Sequence, residues 1–63
     1  MTYTQFELEQ MEIAAEMYAQ FYRAGHSFNT SIDLAARKLA DANSGTTFAI
    51  QREFVKQAVD ALI

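Results

Sequence analysis

The chain contains no cysteine, no proline and no tryptophan, and only two glycines and one histidine among its 63 residues. Without cysteine it has neither a disulfide staple nor a thiolate metal site, and such a chain suits a reducing cytoplasm. One histidine and scattered carboxylates do not supply the ligand set of a structural zinc. Positive charge is also scarce. Arg23, Arg37, Lys38, Arg52 and Lys56 are dispersed and outnumbered by eight acidic residues, for a net charge of −3. Phosphate recognition needs clustered Lys and Arg, so nucleic acid is not the expected partner. No apolar run approaches the ~20 residues needed to span a bilayer. The opening Met-Thr-Tyr-Thr-Gln lacks the basic leader and apolar core of a signal peptide. The expectation is a soluble, cytoplasmic protein with no membrane partner.

Against these absences stands one dominant segment, Thr4 to Gly25. Thr4 and Glu7 have the spacing of a capping box, and Tyr3 and Leu8 flank it as a hydrophobic staple. Gly25 stands where a left-handed C′ residue ends a helix. At about 100° per residue, Gln5, Glu9, Glu12, Glu16, Gln20 and Arg23 fall on one narrow polar face. Leu8, Met11, Ala15, Tyr18 and Tyr22 form one apolar stripe; Phe6, Ile13, Met17, Phe21 and Ala24 form a second beside Ala14. The apolar arc covers roughly 220°, whereas one contact surface needs about 100°. This helix therefore calls for two neighbours.

Two further helices follow. Asn29 or Thr30 is expected to cap the second, with Asp33 completing a Thr30-x-x-Asp33 box. Its apolar face is Ile32, Ala35, Ala36 and Leu39, with Ala42 at the edge, so a neighbour can approach closely. Leu34 falls on the opposite, charged face with Asp33, Arg37, Lys38 and Asp41. Asn43-Ser44-Gly45-Thr46 reads as a turn. Thr46 or Thr47 then caps a third helix with stripes Ile50–Phe54–Ala58–Ala61 and Phe48–Val55–Val59–Leu62. Strand-length alternation, internal repeats and low-complexity runs are all missing. The expected fold is all-α, one domain over 1–63, with three short helices at about 5–24, 30–42 and 47–62 in a small bundle. Chains this short seldom build a large core. With disulfides and metal excluded, a homodimer on the first helix is expected to complete the bundle. Its candidate self-association residues are Met11, Met17, Tyr18, Phe21 and Tyr22, because buried aromatic side chains dominate interface energetics.

Three groups invite a chemical reading. His26 is the one histidine, but a lone imidazole in an interhelix loop reads first as a capping or solvated group. Glu9, Glu12 and Glu16 share a face, yet carboxylate metal sites in bundles use inward glutamates and Glu-x-x-His, which is missing here. A solvated face directed away from the apolar arc is the plainer reading, and an acidic docking surface the sharper one. Helices two and three are joined by a short Gly-containing turn like that of a helix-turn-helix. A recognition helix would carry base-reading side chains where Phe48, Ala49 and Ile50 stand.

As a whole, the chain resembles the small early proteins encoded in the exo–xis region of lambdoid bacteriophages. The likeness runs over essentially all 63 residues, from MTYTQFELEQMEIAAEMYAQFYRAG through SIDLAARKLADANSG to FAIQREFVKQAVDALI. It implies a phage-encoded protein acting in the bacterial cytoplasm early in infection. That group is associated with favouring lytic growth and disturbing the host cell cycle. The resemblance carries over no catalytic or binding residue.

The expected function is non-enzymatic: a helical interaction protein that self-associates and binds a host protein, modulating host physiology or the lytic–lysogenic choice. One alternative is a transcriptional or nucleic-acid-associated regulator whose basic surface forms only in an oligomer. Another is a small metal-dependent enzyme, which would need His26 and a carboxylate to converge in a pocket. No catalytic residue, metal ligand or cofactor is assigned.

Overall fold

The computed structural model describes residues 2–63, and these form three α-helices and no strand. Helix α1 spans Gln5–Arg23, α2 spans Phe28–Ala42 and α3 spans Phe48–Leu62. Local signals set most of the ends. The Glu7 N–H donates to Thr4 Oγ1 at 3.1 Å, and the Thr4 N–H donates to Glu7 Oε1 at 3.0 Å, closing the capping box. Hydrogen bonding to the carboxylate from Thr4, its backbone N–H first and its side-chain hydroxyl second, holds the Glu7 carboxyl below the usual glutamate range. At the other end Gly25 has φ +107°, the Gly25 N–H donates to the Tyr22 carbonyl, and the His26 N–H to that of Phe21. That pair of bonds is a Schellman motif.

Helix α2 starts earlier than its sequence suggests. Ser27 is the N-cap and accepts from the Thr30 N–H at 3.2 Å, displacing both Asn29 and Thr30 from that role. Asp33 is not drawn back to Thr30; it accepts from Arg52 instead. Several capping-competent residues stand in a row here, so local chemistry does not choose among them. Phe28 meets Tyr18 edge-on at 5.8 Å, and that contact accompanies the earlier start. Helix α3 is capped by Thr47, which accepts from the Ile50 N–H at 3.2 Å.

Each helix packs against both others. The two neighbours that α1 requires thus come from its own chain. The core is made of Met11, Ala14, Ala15 and Tyr18 of α1, Ile32, Ala35, Ala36 and Leu39 of α2, and Val55, Ala58 and Val59 of α3. Alanine supplies five of these eleven positions, so the helices lie close and little apolar volume is buried. Buried Ser31 donates to the His26 carbonyl at 3.5 Å, tying the α1–α2 loop to the first turn of α2. The bundle is flat, 14 Å along its shortest axis against 32 Å along its longest. A slab so thin leaves much of each helix near solvent.

Candidate functional site

The outer face of α1 carries the most distinctive surface. Glu9, Glu12 and Glu16 follow one another at helical spacings of three and four and are all exposed. Beside them Ile13 stays 47% exposed, and Met17 is half-buried. Lys38 of α2 stands opposite, its ammonium 6.0 Å from the centre of the Phe21 ring. Together these side chains line an open groove of about 690 Å³ between α1 and α2. The carboxylates therefore do not face away from apolar surface, as the helical wheel suggested; they border it.

The groove is electrostatically one-sided. Four glutamates against one arginine give α1 a charge of −3, which is the whole net charge of the chain. Two acids against two bases leave α2 and α3 each neutral. Arg23 lies 3.7 Å from Glu16, with both side chains more than half exposed, so solvent screens the pair and its contribution is small. Glu9 accepts from the Gln5 amide at 3.3 Å. Among the described residues, neither Glu9 nor Glu12 pairs with a cation.

The five side chains grouped for self-association do not form one surface. Met11 and Tyr18 are buried in the core, so neither is available to a partner. Met17 and Phe21 are half-buried on the Lys38 side, and Met17 belongs to the acidic groove. Tyr22, at 55% exposure, lies on the other flank, stacked on Tyr18 at 5.6 Å. Ile13 and Lys38 complete the groove but were not singled out from sequence. Ile13 was legible as part of the second apolar stripe; Lys38 was not, because only the packing of α2 brings it across.

A second recess of about 330 Å³ lies where the start of α1 meets the α2–α3 turn, bordered by Phe6, Leu39, Ile50 and Phe54. Phe6 and Ile50 are largely exposed there. The surfaces of α2 and α3 differ in kind. Arg52 Nε donates to Asp33 Oδ1 at 2.6 Å, and the Arg37 guanidinium lies 5.3 Å from the centre of the Phe48 ring. His26 is exposed and meets Phe21 edge-on at 6.0 Å. Among the described residues no three histidine or carboxylate side chains converge as metal ligands would.

The described helices include none long and apolar enough to cross a membrane. No protein family model, curated protein or solved structure matches the chain. Fold and site therefore define a class only: an all-α three-helix bundle with an acidic, apolar-floored groove along its longest helix.

Proposed function

We propose that this protein is a non-enzymatic interaction module, phage-encoded and acting in the bacterial cytoplasm, whose α1 outer face binds a host protein. The phage setting rests on the whole-chain resemblance. The observation that carries the interaction reading is the groove itself, where Glu9 and Glu12, paired with no cation among the described residues, share one surface with exposed Ile13 and half-buried Met17. A face kept only for solubility has no need of Ile13 and Met17 among its charges, and apolar surface rimmed by polar groups marks interaction sites. Capture from bacterial lysate on immobilised protein is the test. Replacing Glu9, Glu12 and Glu16 together by Gln is expected to abolish capture of the host protein while the helices remain intact. Capture that survives the replacement assigns these glutamates to solubility.

Self-association is the second part of the proposal. Two copies apposed through the groove would set like charges against each other, so a two-fold dimer would form at the aromatic end bearing Tyr22 and Phe28. Sedimentation equilibrium at micromolar concentration is expected to return twice the chain mass for wild type and the monomer mass for Tyr22→Glu. A wild-type monomer removes the dimer and leaves host binding standing.

A further inference from the structure

Resting on the reading of the α1 face as a binding surface, we infer that its ligand is a basic amphipathic helix with one cationic edge. The dimensions fit a helix. Ile13 and Met17 are one turn apart and make an apolar floor. Glu9 to Glu16 cover two turns, about 10 Å along the axis. A partner helix presents the same pattern in reverse, with apolar anchors at i, i+3 or i+4 and i+7 and charges along their margin.

Charge selects among the possible occupants. A nucleic acid or an anionic membrane would be repelled by a helix whose net charge of −3 equals that of the whole chain. A second copy brings either its own acidic α1 or the neutral surfaces of α2 and α3. A small polycation would satisfy the carboxylates but leave Ile13 and Met17 uncovered. An uncharged apolar segment would cover those two and desolvate the carboxylates without pairing them, which is costly. A helix bearing both anchors and Lys or Arg meets all of these demands. Met17 adds an unbranched, polarizable side chain that adapts to different anchors.

Lys38 makes the groove asymmetric. It is the cation of the α2 wall, held beside the Phe21 ring, and it faces the glutamates across the floor. The partner helix should therefore be basic only along the edge facing α1, with a neutral or acidic side chain towards Lys38. This asymmetry fixes which way round the helix lies.

The test uses the full chain, isotopically labelled, titrated with synthetic helices of about 16 residues containing Leu anchors and Lys on one edge. Binding is expected to shift resonances from Glu9 to Gln20 and at Lys38. A permuted peptide of identical composition but no helical period is expected to bind at least about tenfold more weakly. The Glu9→Gln, Glu12→Gln, Glu16→Gln triple variant and Ile13→Ser should each weaken the periodic peptide by about tenfold, because both charge and floor contribute. Lys38→Glu should raise affinity for a peptide basic on both edges. Equal binding of periodic and permuted peptides overturns the inference, as do shifts confined to other surfaces or no saturation at millimolar peptide. Host-protein capture that depends on the glutamates, without peptide binding, overturns the helix inference alone. Loss of both overturns the parent reading as well.

Discussion

On α2 and α3 acids and bases balance in number, and some are engaged within the molecule: Asp33 accepts from Arg52, and Arg37 lies against the Phe48 ring. On the outer surface of α1, three glutamates stand at helical spacing with a single arginine, which reaches only Glu16, beside apolar side chains that the fold leaves uncovered. Surface with balanced charge is compatible with a bundle that simply stays folded. Surface that combines like charges with uncovered apolar groups serves that end less well, because the charges repel and the apolar area stays wet. The contrast is what supports placing the proposed binding surface on α1. It also separates two arcs of one helix, the inner one building the core and the outer one left exposed.

Both surfaces depend on the same small core, so the largest effect is expected there. Ile32, 1% exposed, is among the largest fully buried side chains. Ile32→Ala should cost about 2–5 kcal/mol. For so small a domain that is a large part of the total stability, and denaturant unfolding should show the variant largely unfolded in water. A midpoint close to wild type would mean that the surfaces are held by something other than this core.

Thr4→Ala comes next. It removes one half of the capping box that aligns the acidic helix, and N-cap losses of this kind cost about 0.5–2 kcal/mol. The same box carries a pH dependence. Because Glu7 is held below its ordinary range when folded, its contribution is present above the unfolded carboxylate range and is lost as pH falls through the lowered value. Thermal melts across the acid range should therefore show a loss in wild type that Glu7→Gln does not share. Identical acid profiles would place the loss on other carboxylates.

A smaller effect is expected from the neutral surface. Arg52 and Asp33 are in good geometry, but their side chains are 36% and 48% exposed, so screening limits the pair to less than about 1 kcal/mol. A double-mutant cycle with Arg52→Gln and Asp33→Asn measures it. The smallest effect, of opposite sign, is expected on α1. Glu12 neighbours both Glu9 and Glu16, and like charges at these spacings cost a few tenths of a kcal/mol per pair. Glu12→Gln should leave the melting temperature unchanged or slightly raised. If it destabilised the protein as much as breaking the Arg52–Asp33 pair, the contrast between the two surfaces would fail.

Where structure depends on groups three or four residues apart, it was legible in the sequence. Thr4 with Glu7, Gly25 after Arg23, and the Thr46–Thr47 pair before the last helix, of which Thr47 is the cap, act through bonds within a turn, and each marks an end. The buried face of α2 was equally legible, because one stripe of Ile, Ala and Leu stands against charges on the other side. The start of α2 was not, since Ser27, Asn29 and Thr30 can all cap. Nor was the inner arc of α1. Its apolar residues span more of the cylinder than one neighbour covers, and periodicity reports which residues share a face but not which face a neighbour takes. Packing of α2 and α3 buried Met11, Ala14, Ala15 and Tyr18 and left Phe6, Ile13 and Tyr22 outside.

By itself the sequence determined an all-α chain of three helices, most of their ends and the acidity of the first, because composition, periodicity and capping act within single helices. Only the tertiary structure decided that Met17 would join Glu9, Glu12 and Glu16 in one groove, with Lys38 as its far wall. That arrangement depends on where α2 lies against α1, and the choice among apolar arcs is made by the packing of all three helices at once.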